Sequence, residues 1–116
     1  MRSIALLLLL VVVQPGMAET KPQILGYGVK TCPDYVMVFE GWENGDGPAI
    51  AEYLRYRSWL AGFVTGLSLA TASDVLKGVE IKGAMRRIHV YCDENPDSDF
   101  FVASMDLIRI LSGLGG

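Results

Sequence analysis

The sequence predicts an all-α fold, a small bundle of three to four helices stapled by one disulfide. Three observations predict it. Apolar residues recur at three- and four-residue steps over four segments, and Gly- or Pro-containing breaks separate those segments. No segment alternates apolar and polar residues with the period of a strand. Cys32 and Cys92 are the only 2 cysteines, so a single intramolecular pairing exists. A chain of 116 residues suffices for one domain. With 51% hydrophobic and 20% charged residues, general disorder is excluded.

The first eighteen residues read as an address. Arg2 supplies a positive start, Ile4 to Val13 is an unbroken apolar run, and Gln14, Pro15 and Gly16 break it. Gly16 and Ala18 then place small residues at the −3 and −1 positions of a cleavage site. This is the layout of a secretory signal peptide cut after Ala18, which leaves residues 19–116 as a single helical domain. The run is too short for a bilayer, which needs about 20 residues. In an oxidising compartment the two cysteines pair, because neither sits in a CxxC motif that would mark redox chemistry. Closing a loop of roughly 60 residues contributes about 4 kcal/mol on the chain-entropy model.

Residues 19–30 are polar, carry Gly26 and Gly28, and read as an irregular lead-in. The first helix starts at Thr31, which can cap it, with Pro33 in the first turn and Asp34 in the favourable N-terminal field. Cys32, Tyr35, Val36 and Phe39 share its inner face. Residues 41–47 contain three glycines, Asn44 and Asp46, and read as a loop. The second helix is the longest, about residues 48–69, capped by Asp46 or Gly47. Its apolar stripe is Ile50, Leu54, Leu60, Ala61, Val64 and Leu67, widened by Tyr53, Trp59 and Phe63. From Ser58 to Ala72 it carries no charge, which predicts that this half is nearly surrounded by protein. Gly62 and Gly66 have the spacing that lets another backbone approach. After a break at residues 71–78, a third helix spans about residues 80–93 with Ile81, Met85, Ile88 and Cys92 inward. Its Lys82, Arg86 and His89 face the other way. Pro96 forbids continuation, and a fourth helix over about residues 99–112 is capped by Asp97 or Ser98. Its stripe is Phe101, Met105, Ile108 and Leu111.

Chemistry is sparse. The 10 Lys+Arg against 13 Asp+Glu give a net charge of −3, without the basic excess that nucleic acid requires. His89 is the only histidine, and no GxSxG element supports Ser58, Ser68 or Ser104 as its nucleophile. Asp93, Glu94, Asp97 and Asp99 cluster around Pro96 without the spacing of an EF-hand loop, so no metal and no cofactor is implied. Catalytic residues are therefore none, and the expectation is a protein that is not an enzyme. Arg55, Arg57, Arg86 and Arg87 form either a basic patch or a set of ion pairs with Glu52, Glu80 and Glu94. Tyr53, Arg55, Tyr56 and Arg57 are the candidate partner-binding residues, because Tyr and Arg concentrate energy at interfaces.

Thr31-Cys32-Pro33-Asp34-Tyr35 begins the first helix, Trp59-Leu60-Ala61-Gly62-Phe63 lies on the central one, and Tyr91-Cys92-Asp93-Glu94-Asn95-Pro96 turns into the last. This order of motifs resembles the small exported HdeA/HdeB-like proteins of Gram-negative bacteria, and its outline is similar to the Tai-type immunity proteins. The resemblance implies a periplasmic helical domain that binds other proteins. One implied role is an acid-stress chaperone, a homodimer at neutral pH that opens to hold unfolded clients. The alternative is an immunity protein or inhibitor that blocks one toxin or hydrolase. Protonating every carboxylate would carry the processed chain from about −4 to roughly +10, a swing compatible with opening in acid.

Overall fold

A computed structural model describes residues 20–114, the side chain of Leu114 excepted, so the signal-peptide reading of residues 1–18 lies outside the described residues. Four helices follow in order: α1 (Cys32–Glu43), α2 (Gly47–Thr71), α3 (Ile81–Glu94) and α4 (Phe100–Leu114), with no strand among the described residues. The all-α bundle and its disulfide are as the sequence predicts.

Residues 26–30 are more ordered than a lead-in requires. Gly26–Val29 form a 3-10 turn that lies on α2. Tyr27 packs edge-on against Tyr56 with centroids 4.9 Å apart, and its hydroxyl donates to Glu52 at 3.0 Å. The Trp59 indole N–H donates to the Leu25 carbonyl at 2.8 Å, which lays the indole over Gly28. A Cβ at Gly28 would stand 2.3 Å from Trp59 Cζ2 and 2.7 Å from Ile24 Cγ2. Gly28→Ala is thus expected to cost about 1–3 kcal/mol through overpacking. The displaced Trp59 should report it as a shifted fluorescence maximum together with a lower urea midpoint.

Thr31 caps α1, its Oγ1 accepting from Asp34 N–H at 3.3 Å, and Pro33 sits in the first turn as expected. The expected loop from residue 41 is corrected: α1 continues through Gly41 and Trp42 to Glu43. Gly41 is tolerated in the helix because a Cβ there would lie 2.5 Å from Ala49 Cβ, so its absence lets α1 and α2 approach closely. Trp42 then stacks on Tyr53 at 4.1 Å, and that contact offsets the low helix propensity of glycine. The turn itself is short, with Gly45 at φ +79°. Asp46 caps α2, accepting from Ala49 N–H at 3.0 Å.

The inner line of α2 is Tyr53, Tyr56, Leu60 and Val64. Leu54 was expected inside and is 47% exposed, because the two tyrosines take the inward positions of the first half. After α2, the Asp74 carboxylate accepts from Leu76 N–H at 3.0 Å and Gly78 N–H at 2.9 Å, shaping a turn that buries Val75 and Leu76. On α3, Met85, Ile88 and Cys92 are buried as the spacing predicts, and Ala84 joins them.

The start of α4 differs from the expectation. Asp99, not Asp97 or Ser98, caps it, its Oδ1 accepting from Val102 N–H at 2.8 Å. The buried face is Phe100, Ala103, Ser104, Leu107, Ile108 and Leu111, while Phe101 and Met105 are half-buried. The reason is tertiary. Thr31 and Asp99 form an antiparallel bridge, with Cys32 N–H donating to Ser98 O at 3.0 Å and Phe100 N–H to Lys30 O at 2.9 Å. That pairing fixes the phase of α4 and drives Phe100 inward.

The Cys32–Cys92 disulfide, with Cα atoms 4.8 Å apart, joins the start of α1 to the end of α3 beside this bridge. Three helix ends are therefore clamped at one pole of the bundle. At its centre Tyr35 is fully buried, with ring centroids 4.9 Å from Tyr56, 4.8 Å from Phe100 and 6.0 Å from Phe39. Its hydroxyl donates to Met85 O at 2.8 Å, so one side chain from α1 touches α2, α3 and α4.

Burial pushes the hydroxyls of Tyr35, Tyr56 and Tyr53 above the ordinary phenol value of 10.0, with neighbouring tyrosines adding to the effect at Tyr35. The folded chain thus keeps protons that the unfolded chain releases. This contribution is fully present below pH 10.0 and is lost as pH rises above it. Each of Tyr35 and Tyr56 should lower stability by about 1.4 kcal/mol per pH unit there. In a base titration, tyrosinate absorbance and loss of helical circular dichroism are expected to rise together.

Candidate functional site

The uncharged half of α2 is the first surface of interest. The expectation for it is near-complete enclosure by protein, and the structure corrects this: Ser58, Gly62, Thr65, Gly66 and Ala70 are exposed, and Leu69 is 79% exposed. The cause is helix length. At about 1.5 Å rise per residue, the 25 residues of α2 far outrun the 12 of α1, which packs along α2 only where the two run side by side. Nothing lies within 4 Å of the Cβ positions of Gly62 and Gly66, so the glycine pair admits no backbone of this chain. Apolar grooves flank the ridge. One, of about 520 Å³, is lined by Ile24, Leu25, Trp59, Phe63 and Phe101. The other, of about 370 Å³, lies towards the following turn and includes Ala61, Val64, Leu69, Leu76 and Ile81.

The second surface lies where α1, α2 and α3 meet. Trp42 and Tyr53 stack with planes 5° apart, and with Leu54, Arg57 and Lys82 they line a depression of about 240 Å³. Lys82 Nζ stands 6.0 Å from the Trp42 ring centroid. Beside it, Arg86 lies over the Phe39 ring at 5.5 Å and pairs with Glu43 at 3.3 Å. The guanidinium of Arg57 and the ammonium of Lys82 have no carboxylate within ion-pair distance among the described residues.

The four candidate partner-binding residues separate. Tyr56 is 1% exposed, wedged between Tyr27, Tyr35 and Phe100, and belongs to the core. Tyr53 is 3% exposed but borders the aromatic depression. Arg55 is exposed and pairs with Glu52 at 2.6 Å on the side of Tyr27. Hydrogen bonds from Arg55 and Tyr27 hold the Glu52 carboxyl below its ordinary value. Arg57 alone of the two arginines reaches the depression. Of the expected ion pairs, Arg55–Glu52 forms, Arg86 chooses Glu43, and Glu80 and Glu94 make none among the described residues. Sequence reasoning missed Trp42 and Lys82. Trp42 falls three residues after Phe39, a spacing that extends the inner face of α1 by one turn.

His89 was expected on the polar surface. Instead it is half-buried, stacked on Phe39 at 4.1 Å with Nε2 3.9 Å from Glu40 Oε2. Nε2 has no hydrogen-bond partner among the described residues. Ser104 donates to Phe100 O at 2.7 Å, and Ser68 Oγ accepts from Val75 N–H at 3.1 Å. No group of three His, Cys, Asp or Glu side chains converges among the described residues. No helix among them is long and apolar enough to cross a membrane. Compared with protein-family models, with curated proteins and with solved structures, the chain matches none of them.

Proposed function

We propose that the protein is a non-enzymatic, exported protein-binding domain of the periplasm, with a role resembling that of HdeA/HdeB-type acid-stress chaperones. The single observation that carries this reading is the charge-free, exposed half of α2 with an apolar groove on each side. Contiguous apolar surface on a small exported domain marks a place where another chain is held. The disulfide and the Thr31–Asp99 bridge keep three helix ends together while that surface stays available. The second reading, an inhibitor or immunity protein with one partner, is favoured by the cationic depression at Arg57 and Lys82, because a fixed charged feature selects among partners.

The test is suppression of client aggregation at about pH 3, where carboxylates are protonated, combined with capture from envelope extract at neutral and acid pH. Many clients in acid support the chaperone. One dominant partner at both pH values supports the inhibitor. Gly62→Arg with Gly66→Arg should abolish capture of clients in acid, since the new charges stand on the bare ridge, and should leave capture of a single partner at the Arg57–Lys82 depression in place. The same changes should leave folding intact or raise stability by roughly 0.5–1 kcal/mol each, as arginine exceeds glycine in helix propensity. Loss of capture together with a lowered melting temperature would point to damage to the fold instead.

A further inference from the structure

We propose that the depression between α1, α2 and α3 is a receptor for a single carboxylate of a partner protein, carried next to an apolar or aromatic side chain. Its size fits one side chain: about 240 Å³ is below the roughly 300–1,000 Å³ of sites for whole small ligands. Its floor is the stacked Trp42–Tyr53 pair, and Leu54 forms an apolar wall. Arg57 enters from α2 and Lys82 from α3, so two cations flank one aromatic surface. Arg55, Arg86 and Arg109 each meet a carboxylate; Arg57 and Lys82 meet none among the described residues, as is also true of Arg87 and Lys77, but Arg57 and Lys82 both line this depression. A carboxylate arriving from outside would complete both. The planar fork of arginine suits it bidentately, and the half-buried Trp42 indole together with the exposed Leu54 accepts the adjoining apolar group. Trp, Tyr and Arg together are also the residues in which interface energy concentrates.

Charge argues for a carboxylate over a polyanion. Acids outnumber bases by 13 to 10, so a nucleic acid or an anionic bilayer is repelled at longer range while two local cations still hold one acid. The partner is thus a protein segment that presents one carboxylate beside an apolar or aromatic side chain. This partner assignment rests on the protein-binding reading above, but the site can be tested apart from it.

The experiment follows the two indole N–H resonances of the full-length protein by NMR. Trp42 lies in the depression, and Trp59, bonded to Leu25 on another face, is the internal control. The probes are a peptide in which two glutamates flank a tyrosine, capped at both ends, its glutamine counterpart, and a peptide ending in tyrosine with a free terminal carboxylate. The expected result is saturable movement of the Trp42 signal with the glutamate peptide, none with the glutamine peptide, and little at Trp59. Movement with the free-terminus peptide as well assigns a chain end as a second source of the carboxylate. Arg57→Glu with Lys82→Glu, two exposed positions, should weaken binding about tenfold or more. Equal response to glutamate and glutamine peptides, an unsaturated response, no effect of the charge reversal, or tighter binding of a DNA oligonucleotide would overturn the proposal. Peptide binding without capture of any protein from extract sinks the function proposed above and leaves this site standing. Capture that is unaffected by the charge reversal does the opposite.

Discussion

Replacing Cys32 and Cys92 together with alanine is expected to remove about 4 kcal/mol of stability. The bridge spans 60 positions of sequence, and the loop it closes restricts the unfolded chain far more than a short loop would. Against a total of about 5–15 kcal/mol for a domain of this kind, such a loss leaves a protein at the edge of folding. Both sulfurs are buried, so their loss adds a small packing defect on top of the entropic effect. Guanidinium titration of the double variant, compared with the oxidised and reduced parent, checks it. The reduced parent should match the variant to within about 1 kcal/mol. A midpoint unchanged by reduction would mean that the bridge between Thr31 and Asp99 alone holds the pole.

Tyr35→Ala is expected to cost about 3–5 kcal/mol, the most for a single position. Three aromatic neighbours lose a face, namely Phe39, Tyr56 and Phe100, and they come from α1, α2 and α4. Met85 O also loses its phenolic donor from α1. Tyr35→Phe separates the two contributions. It keeps the ring contacts, removes one buried hydrogen bond, and should cost about 1–2 kcal/mol. The same change should make the protein less sensitive to base, since one of the hydroxyls that burial holds protonated is gone. Urea melts of both variants at neutral pH and in mild base provide the four numbers needed. A Tyr35→Phe variant with unchanged alkaline sensitivity would assign that sensitivity to Tyr56 and Tyr53.

The helices were legible where a local rule was sufficient. Thr31 with Pro33 and Asp46 with Pro48 are start signals whose bonds lie within four residues, and both caps form as read. Met85, Ile88 and Cys92 follow one unbroken period and are buried together. Local rules failed where a distant group decided the outcome. Gly41 reads as a breaker, yet the missing Cβ is what Ala49 requires. The phase of α4 follows from Lys30, which lies seventy positions before Phe100 and accepts its N–H. The charge-free stretch after Ser58 predicts burial only if some element covers it, and α1, antiparallel to α2, begins too late to reach along it. At the candidate site, Tyr53 and Arg57 were named from composition. Trp42 and Lys82 come from two other helices, and no spacing within one helix can signal their meeting.

By itself the sequence determined the helical class, a count of three to four helices and the one possible pairing of its sulfurs, because caps, periodicity and cysteine count act locally or by elimination. Only the tertiary structure decided which face of each helix is covered, where His89 rests, and that Arg57 and Lys82 share an aromatic floor. The physical reason is that burial and unpaired charge depend on what other elements supply. A helix of 25 residues beside one of 12 leaves a surface open that its own composition would hide.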